Sequence, residues 1–147
     1  TVAASLASGN GCIIKPAPAT TLSTLEFMQV FADLPEGLRL VLDHMGHVDP
    51  AAPSPLFRLL ETGRIWAKLS PTRVSTDIGP YGDLSALIEH LGAAFPDQII
   101  WGSDWPHVMT PEPVPEIPPM LALCRRALSQ DSFTRCMWGN PERLYGF

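Results

Sequence analysis

Histidine is scarce in this 147-residue chain: there are four, with no H-x-H pair and no H-E-x-x-H. The spacings that most readily announce a catalytic zinc are therefore missing. Cysteine is scarcer still. Cys12, Cys124 and Cys136 stand far apart with no C-x-x-C. That excludes a disulfide scaffold and a zinc ribbon, and fits reduced thiols in a cytoplasmic protein. Basic charge is thin as well: Lys plus Arg is 10 against 15 for Asp plus Glu, a net charge of -5. With no Lys/Arg block, neither nucleic acid nor an anionic membrane is an expected partner. No apolar run is long enough for a membrane span. No basic segment leads into an apolar one near Thr1, so no signal peptide is expected.

What is present is a core. Hydrophobic residues make up 46% of the chain, and the length suits one ordinary domain. Strand-like and helix-like segments alternate. "GCIIK" (11–15), "LRLVLD" (38–43), "RIWAKLS" (64–70) and "QIIWGSD" (98–104) read as strands. Leu40-Val41-Leu42 suits a strand buried on both faces. Between them, Ser23 and Glu26 form a capping box flanked by Leu22 and Phe27, which predicts a helix to about Asp33. Ser54-Pro55 reads as an N-cap and first helical residue, with Gly63 as the stop. Leu84, Leu87, Ile88 and Leu91 repeat at helical spacing. The proline-rich run 106–119 cannot be a helix or strand interior. Met120, Leu123, Cys124, Ala127 and Leu128 mark a further helix, and Asp131 and Asn140-Pro141 look like starts of two short ones. The order β-α-β-α-β-α-β-α predicts an α/β fold with a parallel sheet and helical crossovers.

Ionisable residues collect where three of these strands end, which in parallel α/β proteins is where chemistry gathers. The second strand runs into Asp43-His44, with His47 beyond. The third ends in Lys68-Leu69-Ser70, with Arg73 behind it. The fourth ends in Ser103-Asp104, followed by His107. Alone, each has an ordinary reading. Asp104 could be a turn former, His44 a satisfied core histidine, Asp43 a cap or orienting group, and Lys68 a carboxylate partner or a snorkelling stem. His90 falls on the polar side of its helix. Together they can do two kinds of work. Asp104 and His44 could hold a divalent metal that activates water. Alternatively Asp104 takes a proton from water while His44 assists at a carbonyl, and Arg73 clamps a substrate carboxylate.

The motifs "VLDHMGHVD", "WAKLS", "IIWGSDWPH" and "NPERLYGF" occur here in order. In this the chain resembles the amidohydrolase-related family, and within it the branch of 2-pyrone-4,6-dicarboxylate lactonase-like hydrolases. The similarity covers about residues 36–147. It implies the C-terminal half of a TIM-type (β/α)8 barrel, about four βα units, so that residues 1–147 form a single partial domain. A whole barrel takes about 250 residues, and the family's first-strand H-x-H is absent. The resemblance makes Asp104 and His44 the catalytic pair, or the metal ligands if a zinc is held. It makes Arg73, His47, His107 and Ser70 substrate-binding residues. His47 stands where the lactonases carry arginine, which bears on substrate choice. The implied reaction is hydrolysis of a lactone of a carboxylated small molecule from aromatic catabolism. The alternatives are a zinc-dependent decarboxylase of the same superfamily, or a catalytically inactive fragment or assembly module. The implied cofactor is none or one divalent metal. The implied partners are the carboxylated substrate, the missing N-terminal half of the barrel, and a second copy of the chain.

Overall fold

The structure is a computed structural model, and it describes residues 12–14, 39–108, 110 and 113–146. The capping box at Ser23 and Glu26, with the helix expected after it, lies outside these residues.

Four strands form one sheet: β1 (Cys12–Ile14), β2 (Leu40–Leu42), β3 (Ile65–Leu69) and β4 (Ile99–Trp101), in the order β1-β2-β3-β4. Every neighbouring pair is parallel, with Leu40 opposite Ile65 and Lys68 opposite Ile100. The expected parallel α/β order is therefore present. Each strand is shorter than its sequence run. In particular, Gly102, Ser103 and Asp104 lie beyond the end of β4 rather than in it.

The side-chain alternation of a strand divides the sheet into two faces. Leu40, Leu42, Ile65, Ala67, Leu69 and Ile99 belong to the main core. Helices α1 (Ser54–Leu60), α2 (Ser85–Ala94) and α3 (Ile117–Ala127) pack into that core through Leu56, Leu59, Leu60, Leu87, Ile88, Leu91, Met120, Leu123 and Cys124. Val41, Trp66 and Ile100 face the other way and form a separate buried cluster with Leu144 against it. Both faces are thus apolar, as a parallel sheet requires. His90, on α2, is exposed and stacks on Phe57 at 4.3 Å.

Three helix starts differ from the sequence reading. Helix α1 begins at Ser54 itself, because the N–H groups of Leu56 and Phe57 already bond to Pro53 O. Helix α4 (Gln130–Thr134) is capped by Ser129, whose hydroxyl accepts from Ser132 N at 3.1 Å, so Asp131 lies within its first turn. Asn140 opens the last α-helical segment, but not after a break in the helix. The chain stays helical from α4 through a π turn at Arg135–Gly139 into α5 (Asn140–Tyr145).

The Asn140 side chain does something else: its Nδ2 donates to Pro96 O and Ile99 O, both at 2.7 Å. Asn140 is buried, so its loss leaves two carbonyls at the start of β4 short of a donor. Each such group costs about 1–3 kcal/mol. We expect Asn140→Ala to lower stability by about 2–4 kcal/mol in chemical unfolding; a change under about 0.5 kcal/mol would mean the tether carries nothing. No described helix is long and apolar enough to cross a membrane.

Candidate active site at the strand ends

Backbone strain concentrates where β2 and β4 end. Among the described residues, His44, Met45, His47, Asp104 and His107 are five of the six non-glycine residues with positive φ, Tyr81 being the other. Such conformations are sparsely populated and persist only where the surroundings impose them. After β2 the chain winds through Asp43–His47 with φ between 50° and 68° at residues 44 to 46. After β4, Asp104 has φ 63° and the loop closes through His107 N donating to Asp104 O at 2.8 Å. Both bends turn side chains back over the end of the sheet.

The centre of this rim is His44, which is fully buried. Its Nδ1 is 2.9 Å from Ser70 Oγ. Its Nε2 lies 3.1 Å from Asp43 Oδ2 and 3.5 Å from Asp104 Oδ1, yet makes no well-formed hydrogen bond. The Ser70 hydroxyl can donate or accept, so it orients the ring without fixing where the proton sits.

A cation anchors each carboxylate from behind. Arg73 Nε donates to Asp104 Oδ2 at 2.7 Å, and Thr72 Oγ1 donates to the same oxygen at 3.5 Å. Arg73 Nη2 donates to Val108 O. On the other side the Lys68 ammonium donates to Asp43 Oδ1, which also accepts from His44 N at 3.1 Å. Lys68 can reach because residue 102 has no side chain. A Cβ built on Gly102 would stand 2.7 Å from Lys68 Cδ.

Burial pushes the Asp43 carboxyl up, but the His44 and Lys68 side chains beside it outweigh burial and hold it well below the usual carboxylate range. Its folded value is then lower than that of the unfolded chain, about 3.9. The resulting stabilisation is complete above about pH 5 and is lost as the pH falls toward the folded value. Thermal melts from pH 6 down to about 3 should therefore show a shallower acid decline in Asp43→Asn than in the wild type. Parallel declines would contradict this.

The structure brings together His44, Asp104, Ser70 and Arg73 from the sequence-based set. The His47 ring centroid is 5.2 Å from that of His44, and His47 is half-buried. His107 is buried and tied to Asp104 through its backbone, with Nδ1 lacking a hydrogen bond. Ser70 contacts His44, and Arg73 contacts Asp104 and Val108 O. In this arrangement both position other groups of the rim. Sequence reasoning left out Thr72, read Gly102 only as a residue that lets the strand end, and offered Lys68 a carboxylate partner without naming Asp43. The missed signal is period-two alternation. Val41 and Asp43, Trp66 and Lys68, and Ile100 and Gly102 share a phase, and the register sets them side by side.

Spacing and charge give different answers about a metal. Donor atoms of Asp43, His44 and Asp104 all lie within 4.8 Å of one another. Zinc bonds of roughly 2.0–2.1 Å imply tetrahedral edges of about 3.3 Å, and the two His44 separations bracket that value. Each carboxylate, however, already carries a cation. A divalent ion would enter a site whose two negative charges are neutralised by Lys68 and Arg73, so the residues present do not fit one.

The comparisons with known proteins agree on the family. Residues 4–147 match the amidohydrolase family. The chain is 32% identical over 117 residues to 4-sulfomuconolactone hydrolase of Rhizobium radiobacter, covering 73% of this chain and 39% of that protein. It is 29% identical over 138 residues to 2-pyrone-4,6-dicarboxylate hydrolase of Comamonas testosteroni, covering 82% and 44%. A crystal structure from Agrobacterium tumefaciens superposes with a TM-score of 0.75 at 24% identity, covering 99% of this chain and 53% of that one. A zinc-bound amidohydrolase from Burkholderia multivorans gives 0.69 at 21%, covering 99% and 56%. The chain thus spans about two fifths of the length of these curated relatives and about half of the solved structures. Over that span, the chain belongs to the amidohydrolase family.

Proposed function

We propose that this chain is the C-terminal half of a (β/α)8-barrel hydrolase that opens lactones bearing acidic groups. The observation that carries the reading is the buried His44 Nε2 facing Asp104 Oδ1, at the strand ends where such barrels do their chemistry. Two named relatives point to the substrate class: one hydrolyses 4-sulfomuconolactone, the other 2-pyrone-4,6-dicarboxylate.

Asp104 is the general base. With Oδ2 held by Arg73, its Oδ1 takes a proton from water as the water oxygen bonds to the lactone carbonyl carbon. His44 Nε2–H stabilises the oxyanion. Collapse breaks the ring C–O bond, the leaving oxygen takes the proton that Asp104 received from water, and the new carboxylic acid loses its own proton to solvent, leaving an open hydroxy-carboxylate. Ser70 fixes the His44 ring. Arg73 has five N–H donors; two hold Asp104 and Val108 O, and a substrate carboxylate would use others. His47 and His107 border the same rim and would meet the substrate's acidic groups.

The remaining four strands come from residues outside this chain, so the isolated 147-residue chain should open such lactones at under about a hundredth of the full-length rate. Comparable rates would overturn the half-barrel reading. The spacing of Asp43, His44 and Asp104, taken without the two cations that neutralise the carboxylates, is that of a second reading, a zinc-dependent decarboxylase. That reading predicts carbon dioxide release and loss of activity with chelator. The reading as an inactive assembly module predicts that Asp104→Asn leaves function intact.

A further inference from the structure

We propose that Lys68, seated by Gly102, is the built-in cation of this site, and that it excludes divalent metal by occupying Asp43. The inference deepens the hydrolase reading, but its test reads metal binding without turnover, so either can fail alone.

Three observations carry it. First, Lys68 extends from the Val41–Trp66–Ile100 face and places its ammonium on Asp43 Oδ1, with the Lys68 side chain only 23% exposed. The Asp43 carboxylate holds this partly covered cation in place. Second, the path it takes is carved: a Cβ at residue 102 would come within 2.7 Å of Lys68 Cδ and 3.2 Å of both Cγ and Cε. These atoms lie mid-stem, so any larger residue must push the whole side chain aside. Third, the opposite carboxylate is held in the same way by Arg73. Two carboxylates and two fixed cations sum to zero. Without Lys68, the same three donor atoms would keep their spacing around a net negative charge, with a buried and unbonded His44 Nε2 facing it. Affinity of hard and borderline cations follows ligand charge, so one lysine decides whether the group is a metal site.

The probe is zinc chloride at pH 7, with dissociation constants from competition against a chromophoric chelator and coordination read from the visible spectrum of cobalt(II). The proteins are the full-length wild type and its Lys68→Met, Lys68→Arg and Gly102→Ala variants. Lys68→Met should bind one zinc at least tenfold more tightly than wild type and give a tetrahedral cobalt spectrum. Adding Asp43→Asn should abolish the gain. Lys68→Arg, which restores a cation, should bind as weakly as wild type. Gly102→Ala keeps the charge but unseats it, and should shift zinc affinity in the same direction as Lys68→Met. It also decides the matter if Lys68→Met does not fold. Wild-type binding as tight as that of Lys68→Met, or no gain in Gly102→Ala when Lys68→Met is unfolded, would overturn the proposal.

Discussion

Asp104→Asn in the full-length protein should lower kcat for lactone opening by about a thousandfold and leave KM within a few fold. The amide is nearly the size of the carboxylate and can still accept from Arg73 Nε, so the loop after β4 should keep its shape. What it cannot do is take a proton from water. General-base assistance is worth about 10²–10⁴ in rate, and the side-chain swap removes all of it. Because Asp104 Oδ1 also faces His44 Nε2, the ring loses a carboxylate neighbour, which keeps the loss above the lower end of that range. Steady-state kinetics on the variant and wild type decide it. A kcat within threefold of wild type would remove Asp104 from the chemistry.

The second large effect is on stability. Asp43→Ala should cost about 3 kcal/mol, a drop in Tm of about 10 °C for a chain of this size. The cost does not come from the attraction itself. It comes from the Lys68 ammonium, left on the sheet face of the Val41–Trp66–Ile100 cluster with no carboxylate to meet. Removing one partner of a buried pair is expensive because the other stays charged, whereas replacing both is often close to neutral. Asp43→Ala combined with Lys68→Met should therefore regain at least half of the lost stability. Simple addition of the two single-variant losses in the double variant would show that the partners act independently.

The fold was largely legible because its signals are local. Alternating apolar strands and amphipathic helices, with turn residues between, dictate a parallel sheet without reference to any distant contact. The rim was legible for the same reason: "VLDH", "KLS" and "GSD" each place polar atoms just after a strand, and parallel pairing does the rest. What escaped depends on contacts between segments. Asn140 reads locally as a helix start, but its partner Ile99 O is 41 residues away. Ser54 reads locally as a cap, but Pro53 O had already begun the helix. Gly102 reads as a residue that lets a strand end, and its role toward Lys68 emerges only once β3 and β4 are in register. Arg73 resembles a substrate clamp in sequence; the fold first uses it to hold Asp104.

The most direct measurement follows the products formed when the full-length protein meets a carboxylated lactone such as 2-pyrone-4,6-dicarboxylate, before and after treatment with a strong chelator. The lactonase reading predicts loss of the ring chromophore, release of one proton per ring opened to a new carboxylate, no carbon dioxide, and the same rate after chelation. Carbon dioxide release that stops with the chelator, or an intact ring under both conditions, would contradict it.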